Sequence, residues 1–137
     1  MKKILTNRGL FICCILMLFT ACEGREKVTS QTLTVTITSK NGQWKVLSSS
    51  KTRRPYYHSS ANAPVYQADL MDQSGKLIRS VFYGKAFVKN DSSEFTLPFP
   101  AFAKAHRIII YRLDASSGHI TNKNRDKVLD WTIPAEM

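Results

Sequence analysis

The 137-residue chain predicts an all-β domain, a small sandwich of about seven to eight short strands behind an N-terminal export segment. Three observations predict it. Apolar and polar residues alternate with period two in several stretches, as half-buried strands require. Turn-forming residues recur about every 8–12 positions, the spacing of sandwich strands. No segment of the domain carries a sustained 3.6-residue apolar period.

The export segment comes first. Lys2, Lys3 and Arg8 form a positive head, and Leu10 to Phe19 is an unbroken apolar run of ten. Thr20 and Ala21 follow. This is the layout of a secretory signal peptide. A membrane-spanning helix needs about 17–25 apolar residues, so the run is too short to cross. The stretch Leu18-Phe19-Thr20-Ala21-Cys22 resembles the lipobox of bacterial lipoproteins, with Phe19 in place of the preferred Leu. The resemblance covers residues 1–22. It implies cleavage before Cys22, a diacylglyceryl group on its thiol and acylation of its amine. Each buried methylene contributes about 0.8 kcal/mol, so two or more chains hold a protein stably on a bilayer. The expected organisation is a signal peptide over 1–21, a lipidated N-terminus and flexible tether over 22–31, and a β-sandwich over 32–137. Glu23, unlike the Asp that retains enterobacterial lipoproteins at the inner membrane, implies the periplasmic face of an outer membrane.

The strands follow in order. In Thr32–Thr38, Leu33, Val35 and Ile37 alternate with four threonines, which predicts a strand with one wet Thr face. Asn41-Gly42 is a hairpin turn signal, and Gln43–Leu47 returns. Val65–Leu70 alternates again, burying Tyr66, Ala68 and Leu70. Asp72-Gln73-Ser74-Gly75 turns it back into Leu77–Tyr83. Ala86–Val88 predicts a short strand or an extension of that one. Glu94–Leu97 ends at Pro98-Phe99-Pro100, and two prolines place it at a sheet edge or corner. Ala101–Ala105 predicts one helical turn. Arg107–Leu113 is apolar on both faces and reads as central. His119–Thr121 predicts a short strand, Asn122–Lys127 a polar loop, and Val128–Ile133 the last strand before Pro134.

This pattern predicts an immunoglobulin-like sandwich, with a small closed barrel as the alternative. The Cys…Trp…Cys pin of antibody domains is absent. The hairpin Gln67–Tyr83, then Phe95–Pro98, then Arg107–Tyr111 resembles the sandwich domains that accompany secreted bacterial metallopeptidases. Those domains are accessory, so the resemblance implies no catalytic residue.

Composition narrows the chemistry. Removing residues 1–21 takes away Cys13, Cys14 and three cations. The remainder holds 17 Lys plus Arg against 10 Asp plus Glu, a net +7, and Cys22 as its single cysteine. No disulfide is then available, and Cys22 acylated is no nucleophile. A basic exported domain is attracted to lipid head groups, glycans or acidic proteins, and export argues against nucleic acid. His58, His106 and His119 stand far apart and form no zinc motif. No Gly-x-Ser-x-Gly elbow and no Gly-rich phosphate loop is present. The carboxylates sit mostly at turns. The reading is therefore non-enzymatic, with no cofactor and no metal.

The most unusual stretch is Ser48–Ala63, about 16 residues long and read as a loop. It holds Arg53, Arg54, Tyr56, Tyr57 and His58. Arginines fork onto phosphate or carboxylate, and tyrosines stack on sugars or side chains. These five are the candidate binding residues. The plainer alternatives are a solvated connection with its tyrosines tucked onto the sandwich, or an extra edge strand at Tyr56-Tyr57. Three functions are then expected in order: an envelope lipoprotein binding a protein partner in a secretion or envelope assembly; binding of an anionic glycan or lipid through Arg53–His58; an accessory domain of an envelope hydrolase.

Overall fold

The computed structural model describes residues 27–58, 63–85, 94–114 and 125–137. Cys22, His119 and the strands expected at Ala86–Val88 and His119–Thr121 lie outside them. Nine strands are described: β1 (Lys27–Thr29), β2 (Thr32–Lys40), β3 (Gln43–Thr52), β4 (Tyr56–Tyr57), β5 (Pro64–Met71), β6 (Leu77–Gly84), β7 (Glu94–Pro100), β8 (Arg107–Leu113) and β9 (Arg125–Thr132). They form a three-stranded sheet, β3-β2-β7, a four-stranded sheet, β6-β5-β8-β9, and a ribbon, β1-β4. Every pairing is antiparallel. The fold is a small all-β sandwich.

β2 and β7 bury alternate residues, while β5 and β8 each bury three in a row. From the three-stranded sheet, Leu33, Val35 and Ile37 of β2 and Phe95, Leu97 and Phe99 of β7 enter the core. They meet Ala68 and Leu70 of β5, Val81 and Tyr83 of β6, and Ile108 and Ile110 of β8. Trp44 adds a tilted contact to Tyr66 and an edge contact to Phe95, both with centroids under 5 Å (4.7 and 4.8 Å). Such pairs contribute beyond the area they bury.

The order β6-β5-β8-β9 corresponds to the C′-C-F-G sheet of immunoglobulin variable domains. The other sheet departs from that scheme. There the first strand of the hairpin, β2, takes the centre, and β3 folds back to the outer edge. The cause is local: Asn41 (φ 53°) and Gly42 (φ 76°) both adopt the left-handed region, as a two-residue type I′ hairpin requires.

The proline expectation holds. β7 is an edge strand, paired with β2 alone. Residues two apart present their backbone groups to the same side of a strand, so Pro98 and Pro100 lack their N–H on one side together. The Tyr83 hydroxyl of β6 donates to the Pro98 carbonyl at 2.5 Å. That bond joins the two sheets along one flank. β8 is internal as expected, with Ile108, Ile109 and Ile110 all buried.

Four expectations are corrected. Lys27–Thr29, placed in the tether, forms β1. The supposed loop from Ser48 is strand as far as Thr52, because β3 stays in register with β2 beyond a bulge at Leu47. Ala101–Ala105 makes no helix; a single turn bond runs from the Ala105 N–H to the Phe102 carbonyl. Arg125–Lys127 is not loop but the first part of β9.

Candidate functional site

The Arg53–His58 segment crosses from the outer edge of one sheet to the opposite flank of the sandwich. β3 ends at Thr52, paired with Thr32. The Thr32 hydroxyl then donates to the Arg54 carbonyl at 2.8 Å, holding the crossing against the start of β2. Pro55 leads into β4, which pairs Tyr57 with Lys27 and Tyr56 with Thr29. Tyr56 is buried at 7 % exposure and belongs to the core. Burial raises its phenol pKa, with Arg79 acting weakly in the opposite direction. Tyr56 therefore anchors the ribbon and offers no surface to a ligand. Arg53, Arg54, Tyr57 and His58 are exposed. The structure thus separates the five candidates: four on the surface, one in the core.

The charge of this region is distinctive. Residues 27–68 contain six cations, Lys27, Lys40, Lys45, Lys51, Arg53 and Arg54, and no Asp or Glu. The described ion pairs all lie on the four-stranded sheet. Arg107 grips Asp130 through two bonds of 2.6 and 2.5 Å, and Lys127 adds a third at 3.1 Å. These bonds, the Arg107 fork foremost, hold the Asp130 carboxyl at about 2. Arg112 pairs with Asp126. Asp69 is buried and accepts from Gln67 (2.7 Å), Ser80 (2.6 Å) and Arg125 (3.3 Å), while Arg125 stacks 4.0 Å over the Tyr111 ring. The acidic residues of β5 and β9, Asp69, Asp126 and Asp130, pair within their own sheet. The cations of β1 to β4 have no such partners among the described ion pairs, so the excess positive charge sits on that half.

A second feature is an open cleft of about 570 Å³ at the end of the sandwich where β2 begins. Its walls are the β5–β6 turn, the Ala101–His106 connection and the segment after β9, including Ile133 and Pro134. Phe102, Pro100 and Ile133 supply apolar surface, and Lys51, Lys104 and His106 supply polar groups at the rim. The turn beside it is rigid: the Ser74 N–H, the Ser74 hydroxyl and the Lys76 N–H all donate to one Asp72 oxygen. The Ser74 hydroxyl bond, more than any other contact, lowers the Asp72 pKa. Sequence reading did not single out this cleft, because its walls come from three segments far apart in the chain.

Among the described residues, no three His, Cys, Asp or Glu side chains gather in a way that would hold a metal ion. His58 and His106 are separated, one beside the ribbon and one at the cleft. Also among the described residues, no helix is long and apolar enough to cross a membrane. Comparison of the chain with models of protein families, with curated proteins and with solved structures finds no match in any of the three.

Proposed function

We propose that this chain is a lipid-anchored protein of the bacterial cell envelope whose β-sandwich binds a protein partner without catalysing a reaction. The lipobox-like run ending at Cys22 supports the anchor. The observation that carries the reading is the pairing of Lys27 with Tyr57. It fixes the start of the sandwich five residues beyond Cys22. An envelope domain with an open cleft lined by both apolar and polar side chains suits a segment of another protein, as part of a secretion or envelope assembly. Localisation to the periplasmic face of an outer membrane, where the host has one, belongs to the same proposal.

The test is crosslinking in cells followed by capture of the lipoprotein. The expected result is one reproducible envelope protein, lost when Phe102→Glu places a charge in the cleft. Recovery of the lipoprotein alone would reject the reading. Fractionation of Cys22→Ser tests the anchor separately, with the expected outcome a shift from membrane to soluble fractions.

A second reading, binding of an anionic glycan or lipid through the Arg53–His58 segment, is favoured by the exposure of Arg53, Arg54, Tyr57 and His58 within a stretch, residues 27–68, that holds no Asp or Glu. Such binding would weaken with salt, since charge attraction is screened within about 8–10 Å at moderate ionic strength. Replacing both arginines with alanine is expected to abolish it.

A further inference from the structure

We infer that the β1–β4 flank is the membrane-facing surface of this protein, with Lys27, Arg53 and Arg54 set against anionic phospholipid head groups and Tyr57 at the interface. This rests on the proposal that Cys22 is lipidated, and adds to it a defined orientation.

The argument begins with reach. Five residues separate Cys22 from Lys27, and an extended chain spans at most about 3.3–3.6 Å per residue. The first ordered strand therefore lies within roughly 18 Å of the acylated cysteine. β1 is not free to swing: it is paired to β4, and β4 is fastened to the sandwich by the buried Tyr56. Whatever surface surrounds β1 and β4 is brought to the lipid by the anchor.

That surface has suitable chemistry. Lys27, Arg53 and Arg54 are exposed and belong to no described ion pair. Residues 23–27 contain Glu23, Arg25, Glu26 and Lys27, which cancel, so the net positive charge of the flank comes from the arginines. Tyr57 is 45 % exposed, an aromatic ring with a polar tip beside the chain entry. Aromatic rings of this kind favour the boundary between head groups and water. The opposite flank differs. There β3 forms the outer edge of its sheet, and Leu47 projects from the bulge at 49 % exposure.

The mature lipoprotein provides its own test, because acylated Cys22 is its single cysteine and an engineered cysteine becomes a unique thiol. His58→Cys reports the β4 flank and Leu47→Cys the opposite flank. Each labelled, lipidated protein is placed in vesicles containing phosphatidylglycerol and in vesicles of phosphatidylcholine alone, with a quencher attached to the lipid head groups. The expected result is severalfold stronger quenching at position 58 than at 47 in anionic vesicles. In uncharged vesicles the difference is expected to shrink. Each Lys or Arg near an anionic surface contributes about fivefold in binding, so Arg53→Ser with Arg54→Ser is expected to reduce quenching at position 58 in anionic vesicles to the level seen in uncharged ones. Equal quenching at the two positions, or a preference indifferent to anionic lipid, would overturn the orientation while leaving the anchor intact. Failure of the protein to float with either vesicle would overturn the anchor, and the orientation with it.

Discussion

Tyr83 shows how much a single hydroxyl can decide. It is buried at 2 % exposure, stacks edge-on against Phe99 and donates to the Pro98 carbonyl across the two sheets. Replacing Tyr83 with Phe keeps the ring and leaves that carbonyl without its donor, which costs about 1–2 kcal/mol in denaturant unfolding. Burial holds the phenol well above its ordinary value of 10. Its contribution is therefore complete below about pH 10 and is lost as pH rises further, so the stability difference between the parent and the Phe variant should shrink in an alkaline titration. Asp130 behaves oppositely. Its folded value of about 2 lies below the unfolded one, so its contribution is present above roughly pH 4 and disappears as pH falls toward 2. Arg107 is 45 % exposed, so water screens the pair and keeps its contribution small. Asp130→Asn should flatten the acid limb of the stability profile and leave neutral stability slightly lower. Alternation placed Asp69 on the outer face of β5, yet gave no sign that Gln67, Ser80 and Arg125 would bury it there. Those partners arrive from three positions joined by strand pairing.

At the scale of elements, β2 and β5 were legible from period two and β8 from its apolar run, β3 was read only as far as Leu47, β4 stood as an alternative at Tyr56-Tyr57, and β1 was missed. β1 and β4 have three and two residues, and neither has a period of its own. They exist because Tyr56 finds the core and Thr32 holds the Arg54 carbonyl. The turns were readable because their residues have local reasons. Gly75 takes φ +82° between β5 and β6, a region where a Cβ clashes with the chain itself. A Cβ there meets nothing else within 4 Å, so Gly75→Ala should lose about 1–2 kcal/mol by backbone strain alone, measurable by thermal unfolding. A loss much larger would indicate that the Asp72–Ser74 network depends on the same geometry. The supposed helical turn at Ala101–Ala105 was read from small residues with good helix propensity. Backbone bonds from Ala101 to Gln31 and from His106 to Met71 instead stretch that segment across the end of the sandwich.

For the whole molecule, stability rests on packing between two sheets, since the expected mature chain holds one cysteine and no disulfide. Ile110 is fully buried and its neighbours come from both sheets, so Ile110→Ala should cost about 2–5 kcal/mol and weaken both sheets in one cooperative transition. Two transitions would show that the sheets unfold separately. The sequence by itself determined the class of fold, because alternation and turn chemistry are local and each is written within a few residues. It likewise determined the net charge. Tertiary structure decided the remainder. It moved Tyr56 from a candidate ligand platform to a core anchor and closed the acidic residues of β5 and β9 into ion pairs. It assembled a cleft from three distant segments. These outcomes depend on which strands become neighbours, a choice made by burial and pairing across the whole chain.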